Sequence, residues 1–395
     1  MKNKEILLVP GPTPVVDDIY DALASETRGH TDPRFVAIYK RAIENTKKLF
    51  NTDGEVYVVA GSGTLAMEMA IINTVAEGEK LLVISHGYFG DRFTPLAKAY
   101  GIEVDVLQSD WGKRVDVELV KEKLATGAYK AVTVTHADTS TGVSSDLDAL
   151  IPIIKEAGAL AIVDGVVATA ALQEDMSKAY GGNEAYKIDI ALTGSQKAIG
   201  VPPGLAIVAF SKQALAAREA LGAVRAYYAD IHNWRAIMDN PANYFATPPV
   251  NLIYAYDKAL EIVLQEGMET REARHLKYGR AVRAALRSYG MTPLADEEVA
   301  AATLSCILYP DGVEDATFRS SLANRGVIVA GSLAHLAGKA FRIGHMGNTS
   351  IEQLEQAIRL IGEVLVEQGV QVEIEHAVDV LHQELQTYIN LVQKK

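Results

Sequence analysis

Ile188-Asp189-Ile190-Ala191-Leu192, running into Thr193-Gly194-Ser195-Gln196-Lys197, is the stretch whose reading decides the fold. A short apolar segment closed by small polar residues reads as a buried strand ending in a tight loop. Open α/β folds put their ligands at the carboxyl edge of the sheet, so Lys197 sits where an amine can do chemistry. Most lysines are solvated surface charges. The company Lys197 keeps along the chain therefore has to carry the argument.

Upstream, strands and helices alternate. Val56 to Ala60, Lys80 to Ser85, Ile102 to Leu107, Ala131 to Thr135, Leu160 to Val163, Ile188 to Leu192 and Leu205 to Phe210 read as strands. Thr64 to Val75, Asp91 to Tyr100, Val117 to Leu124 and Leu147 to Ala157 read as the helices between them. Asp32-Pro33 reads as an N-cap with proline at the first helical position, opening a helix from Phe35 to Phe50. An earlier helix spans Val15 to Ser25, and Leu7 to Pro14 is extended because its prolines hold the backbone out of the helical region. Short strands that are apolar throughout, separated by helix-length segments, predict an α/β domain with a mostly parallel sheet buried on both faces.

After Asn251 the texture changes. A charged helical stretch from Leu252 to Ser288, broken near Gly267, leads to scattered strands at Thr303 to Tyr309, Val327 to Val329 and Ala340 to Ile343. Two amphipathic helices, separated near Gly369, fill Ile351 to Val392. The expected organisation is a large domain over residues 19–265 and a smaller α+β domain formed by 266–395 together with 1–18. No internal repeat or low-complexity linker is visible.

Composition narrows the function. The net charge of −12 argues against nucleic acid as partner, because such binders present basic patches. Cys306 is the single cysteine, so neither an intrachain disulfide nor a cysteine metal cluster can form, which fits a reducing cytoplasm. Met1 to Glu5 is polar and shows no signal peptide. No apolar run approaches the ~20 residues that span a bilayer. The expectation is a cytoplasmic protein with no membrane partner. His86, His136 and His345 are not spaced as metal ligands, so no metal is expected.

Several constellations accompany Lys197. Ala60-Gly61-Ser62-Gly63-Thr64 joins a strand to a helix, where free N–H groups and the helix dipole make an anion site, with hydroxyls added by Ser62 and Thr64. It lacks the full dinucleotide fingerprint and the Walker lysine. Asp164 ends an apolar strand, where a carboxylate wants a cation or a protonated ring nitrogen; the plain alternative is a helix cap or an ion pair. His136 to Gly142 clusters hydroxyls after another strand, as polar turns do. Tyr88 and Phe89 follow Lys80 to Ser85, and one of them can stack on a flat ligand. Arg342 lies in an apolar strand of the second domain; its planar fork suits a carboxylate, and the plain alternative is an internal salt bridge. Cys306 reads as a small core hydrophobe. A cofactor with a phosphate, a ring nitrogen and an aldehyde uses all of these except the arginine, which an amino or keto acid would occupy. That cofactor is pyridoxal 5'-phosphate.

Nearly the whole chain, from Leu7-Leu8-Val9-Pro10-Gly11-Pro12 to Arg342-Ile343-Gly344, resembles the class V, fold-type I aminotransferases, in the alanine–glyoxylate and serine–pyruvate branch. The most specific pieces are Gly194-Ser195-Gln196-Lys197-Ala198 and Pro202-Pro203-Gly204. The resemblance implies that Lys197 carries the cofactor aldehyde, Asp164 pairs with the pyridine nitrogen and Phe89 stacks on the ring. It also implies that Ser62, Gly63, Thr64 and Gln196 cup the phosphate, that Thr139 and Val166 touch the cofactor, and that Arg342 and Gly11 meet the substrate. Tyr244 and Thr247 match residues that reach the phosphate of a neighbouring subunit, which implies a homodimer with shared active sites. Small amino acids such as alanine or serine, and 2-oxo acids such as glyoxylate or pyruvate, are the implied substrates. Aminoethylphosphonate or ureidoglycine transamination is a close alternative, a cysteine desulfurase a more distant one. From other classes, a nucleotide-dependent dehydrogenase would use the glycine turn, and a non-catalytic binding protein would have no use for Lys197. The chain departs from the family pattern at Thr64, where some members have His, at Phe89 for Trp, at Ala137-Asp138, and at Gly165, where Ser is common.

Overall fold

A computed structural model describes residues 5–392; readings that concern Met1 to Lys4 and the last three residues lie outside them. Seven strands form the central sheet: β1 (Glu55–Ala60), β2 (Lys80–Ser85), β3 (Glu103–Gln108), β4 (Ala131–Thr135), β5 (Leu160–Asp164), β6 (Ile190–Gly194) and β7 (Leu205–Phe210). Their spatial order is β1-β7-β6-β5-β4-β2-β3. β7 runs antiparallel to β1 and β6, and the remaining neighbours are parallel. β4, β5, β6 and β7 are buried at every position, as strands dominated by Val, Ile, Leu and Ala require. At the edge, β3 mixes exposed and half-buried residues. The one acid in the deciding apolar run, Asp189, is buried but accepts from the Lys155 ammonium and from the Ala161 N–H at 2.8 Å.

The expected helix Asp91 to Tyr100 is two short helices instead, Tyr88–Asp91 and Phe93–Ala99. Pro95 has no N–H to offer the Asp91 carbonyl, so the ladder fails there. Two further helices, Lys212–Leu221 and Ile231–Asp239, go unread in the sequence, although the second buries Ile231, Trp234, Ile237 and Met238 at helical spacing.

A second, four-stranded antiparallel sheet comprises β8 (Thr292–Pro293), β9 (Leu304–Leu308), β10 (Ala330–Gly331) and β11 (Ala340–Gly344), in the order β8-β9-β11-β10. It packs with the helices Met268–Ser288, Ile351–Glu367 and Ile374–Val392 around Phe318, Phe341, Ile358 and Leu381. Ile6–Leu7 pairs in parallel with Val327–Ile328, so the amino-terminal segment joins this second core. Fully burying each Phe, Leu or Ile contributes about 1.5–3 kcal/mol against the entropy of ordering the chain.

Candidate active site

The carboxyl ends of β2, β4, β5 and β6 meet on one edge of the sheet, where Thr135 lies opposite Asp164 and Asp164 opposite Leu192. Beyond β6 the loop is clamped by Ser195, whose Oγ donates to the Pro202 carbonyl at 2.8 Å and accepts from the Leu205 N–H at 3.3 Å. Lys197 follows, and its Nζ donates to the Pro10 carbonyl. Thr13 locks the same segment down, its Oγ1 donating to the Lys197 carbonyl at 2.6 Å. Between them Gly11 has φ +98°, and a Cβ there would sit 2.3 Å from Lys197 Cδ. Only glycine lets the amino-terminal segment pass so close to the lysine. Loss of hydration, reinforced by the Arg342 charge, pushes the Lys197 ammonium down to about 8, against the opposing pull of Asp164 and Asp138.

Asp164 is buried at the end of β5, and its Oδ1 accepts from the Val166 N–H at 3.0 Å. Burial pushes this carboxyl up to about 7; the Val166 N–H opposes the rise, and the negative charges of Asp138 and Glu174 add to it. A lysine that sheds its proton easily and an aspartate that keeps one thus line one cavity of about 220 Å³.

The same cavity is lined by Ser62, Gly63, Thr64, Phe89, Thr139, Val166 and Gln196. Gly63 opens the helix Gly63–Ile72, whose N-cap Ser62 makes no side-chain capping bond. A Cβ on Gly63 would stand 2.9 Å from Val166 Cγ2, so the glycine admits the loop that follows Asp164. The Gln196 Oε1 is buried with no partner among the described residues. Arg342 adjoins the cavity: its Nε donates to the Gly331 carbonyl at 2.9 Å and its Nη1 to the Thr139 carbonyl at 3.2 Å. Among the described residues no carboxylate pairs with it, so the internal salt bridge is not formed. Tyr244 and Thr247 are not brought to this cavity; both are exposed, and the Tyr244 ring lies 5.2 Å from that of His30.

Sequence reasoning missed several residues. Asp138 is fully buried and accepts from the N–H groups of Phe89 (2.9 Å), Gly90 (3.1 Å) and Ser140 (2.8 Å). It fixes the Phe89 loop, and its place ahead of Thr139-Ser140 was the available hint. Arg92, Met67, Thr135, Ala137 and Val167 also line the cavity. His136 is not isolated in the fold, since its Nδ1 lies 2.9 Å from the buried Glu174 carboxylate. Cys306 is buried in β9 beside Ser332, and burial raises its thiol. Among the described residues no cluster could hold a metal ion and no helix is long and apolar enough to cross a membrane.

Comparison with known proteins places this geometry. The family model "Aminotransferase class-V" matches residues 15–356. Alanine–glyoxylate aminotransferase 1 of Saccharomyces cerevisiae is 35% identical, over 88% of this chain and 94% of its own. A serine–glyoxylate aminotransferase of Methylorubrum extorquens is 34% identical, over 93% of this chain and 92% of its own. The crystal structure of the ureidoglycine–glyoxylate aminotransferase of Bacillus subtilis superposes with a TM-score of 0.90 at 25% identity, covering 98% of this chain and 99% of that one.

Proposed function

The chain belongs to the class-V aminotransferases, and from that premise we propose that it moves an amino group from alanine or serine to glyoxylate or pyruvate, by ping-pong exchange on pyridoxal 5'-phosphate. The carrying observation is that Lys197 and Asp164 line a single cavity. The residues present fit the cofactor. Asp164 is a buried carboxyl that a protonated ring nitrogen would satisfy. The start of the helix at Gly63, whose N-cap makes no side-chain capping bond, leaves backbone N–H groups for a phosphate, and Ser62 and Thr64 line the same cavity with hydroxyls.

When bound, pyridoxal 5'-phosphate supplies an aldehyde and a ring that takes up electron density. Lys197 would hold the aldehyde, and its free amine would move a proton at the substrate α-carbon; such transfer typically contributes ~10²–10⁴-fold. Asp164 would hold a proton at the ring nitrogen. Arg342 has Nη2 and one Nη1 hydrogen beyond its two carbonyl contacts, a fork for the substrate carboxylate. The buried Cys306, in the middle of a strand, offers a desulfurase no mobile nucleophile.

The same reading takes the enzyme as a cytoplasmic homodimer in which the exposed Tyr244 and Thr247 complete the partner's site. It divides the chain into 19–265 and 1–18 with 266–395, supported by the two largest hydrophobic clusters, whose buried residues come from 19–263 in one and from 6–8 and 278–385 in the other. The test is an absorbance spectrum of purified protein followed by a screen of amino donors against glyoxylate and pyruvate. The expected result is a visible band lost in Lys197→Ala and turnover with alanine or serine. A Lys197→Ala protein that kept the band and transaminated at the normal rate would refute the assignment, and turnover confined to ureidoglycine would replace the donor.

A further inference from the structure

One cation in the cavity has no part in the scheme above. Arg92 lies between the helices Tyr88–Asp91 and Phe93–Ala99 and lines the cavity. Its Cζ sits 4.9 Å from the Phe89 ring centroid and 5.7 Å from that of Tyr88, so two aromatic faces hold the guanidinium in place. Its Nη1 donates to Thr64 Oγ1 at 3.2 Å. Other arginines of this half are ion-paired, Arg41 with Asp257 and Arg218 with Asp230. Among the described residues Arg92 has no carboxylate partner.

Thr64 is the second residue of the helix Gly63–Ile72, whose N-cap side chain makes no capping bond. A guanidinium, a hydroxyl and the positive end of a ten-residue helix therefore converge on one wall of the cavity. These three favour negative charge; the acid of the same cavity, Asp164, feels the Arg92 charge but is not ion-paired with it. Apart from Arg92, the cup residues Ser62, Gly63, Thr64 and Gln196 are uncharged, so a phosphate dianion would lean on dipoles alone.

We propose that Arg92 is a phosphate-binding residue: a cationic arm of the cup that turns from Thr64 onto the phosphate oxygens of the cofactor, held by Phe89 and Tyr88. The inference rests on the cofactor reading above. A second carboxylate on a dicarboxylic substrate shares the anion chemistry and is the competing source.

The experiment measures dissociation constants of the cofactor-free protein for pyridoxal 5'-phosphate and for phosphate-free pyridoxal, by absorbance and fluorescence, in wild type, Arg92→Gln and Arg92→Lys. A charge-assisted hydrogen bond predicts a loss of roughly ten- to a hundredfold for pyridoxal 5'-phosphate in Arg92→Gln, no change for pyridoxal, and a smaller loss in Arg92→Lys, which keeps the charge but not the fork. Arg92→Lys carries the same comparison should Arg92→Gln fail to fold. Equal affinity of the variants and wild type for pyridoxal 5'-phosphate, or equal losses for both ligands, overturns the proposal. So does an unchanged cofactor constant accompanied by a raised KM for dicarboxylic acceptors alone, which assigns Arg92 to the substrate. If wild type itself does not bind pyridoxal 5'-phosphate, the cofactor reading falls, an outcome distinct from failure of Arg92.

Discussion

Asp164 shows what a single buried carboxyl costs the cofactor-free protein. Its folded value is raised to about 7 from 3.8, so between those limits the folded protein holds the proton more tightly than the unfolded chain. Its contribution to stability is therefore lost as pH rises toward 7. Asp164→Asn, still able to accept from Val166, removes that loss. The cofactor-free variant is expected to melt higher than wild type above pH 7, by at most about 4 kcal/mol, with the gap closing as pH falls toward 4. Thermal melts across that range test it, and a gap independent of pH would assign the effect to packing. Lys197 has the opposite arrangement in charge: its value lies near 8 instead of 10.5. The neutral amine is the form that reacts with an aldehyde, so the rate of reconstitution with pyridoxal 5'-phosphate should climb with pH and level off above about 8, where an unperturbed lysine would still be climbing past 10. Stopped-flow absorbance reads this directly. Arg342→Lys replaces a fork by a point charge and should lower kcat/KM for carboxylate substrates by about tenfold or more, while sparing an amine without a carboxylate. Lys197 and Asp164 were legible in the sequence because each ends an apolar run, where a charge is conspicuous. Arg92 and Asp138 were not, since their meaning lies in what they meet across loops: Arg92 reaches Thr64, and Asp138 gathers the Phe89 turn.

At the level of elements, the loop after β5 shows how a departure from the family pattern is absorbed. A Cβ on Gly165 would stand 2.2 Å from Glu174 Oε1 and 2.4 Å from Thr169 Oγ1. Glu174 is buried there, held by Thr169 and by His136. The glycine and the glutamate thus share one volume. Gly165→Ser should destabilise the protein by about 1–3 kcal/mol through overpacking. Glu174→Ala should remove most of that penalty, so a double-mutant cycle measured by denaturant unfolding should give a coupling of the same order. Additive effects would mean that the loop moves aside. The strands were readable because burial on both faces demands runs dominated by apolar residues, and their ends fell within one or two residues of the observed ones. The break at Arg92 was not read, because Pro95 acts through a hydrogen bond it fails to make.

For the whole molecule, the amino-terminal segment belongs to one core and serves the other. Leu8 donates to the Ile328 carbonyl at 2.8 Å and accepts from the Gly344 N–H at 2.7 Å, while Thr13 N–H donates to the Gln196 carbonyl at 3.1 Å. The sequence hinted at this through an extended, proline-rich start, but the parallel pairing with Val327–Ile328 joins residues too far apart in the chain to be read from local pattern. Five links separate Leu8 from Thr13, and a fully stretched backbone covers about 18 Å in that span. The segment is therefore a tether whose taut length bounds the separation of the two cores at this seam. Pro10 lies midway along it and its carbonyl accepts from the Lys197 amine, so the strip of chain that joins the two cores also holds the lysine.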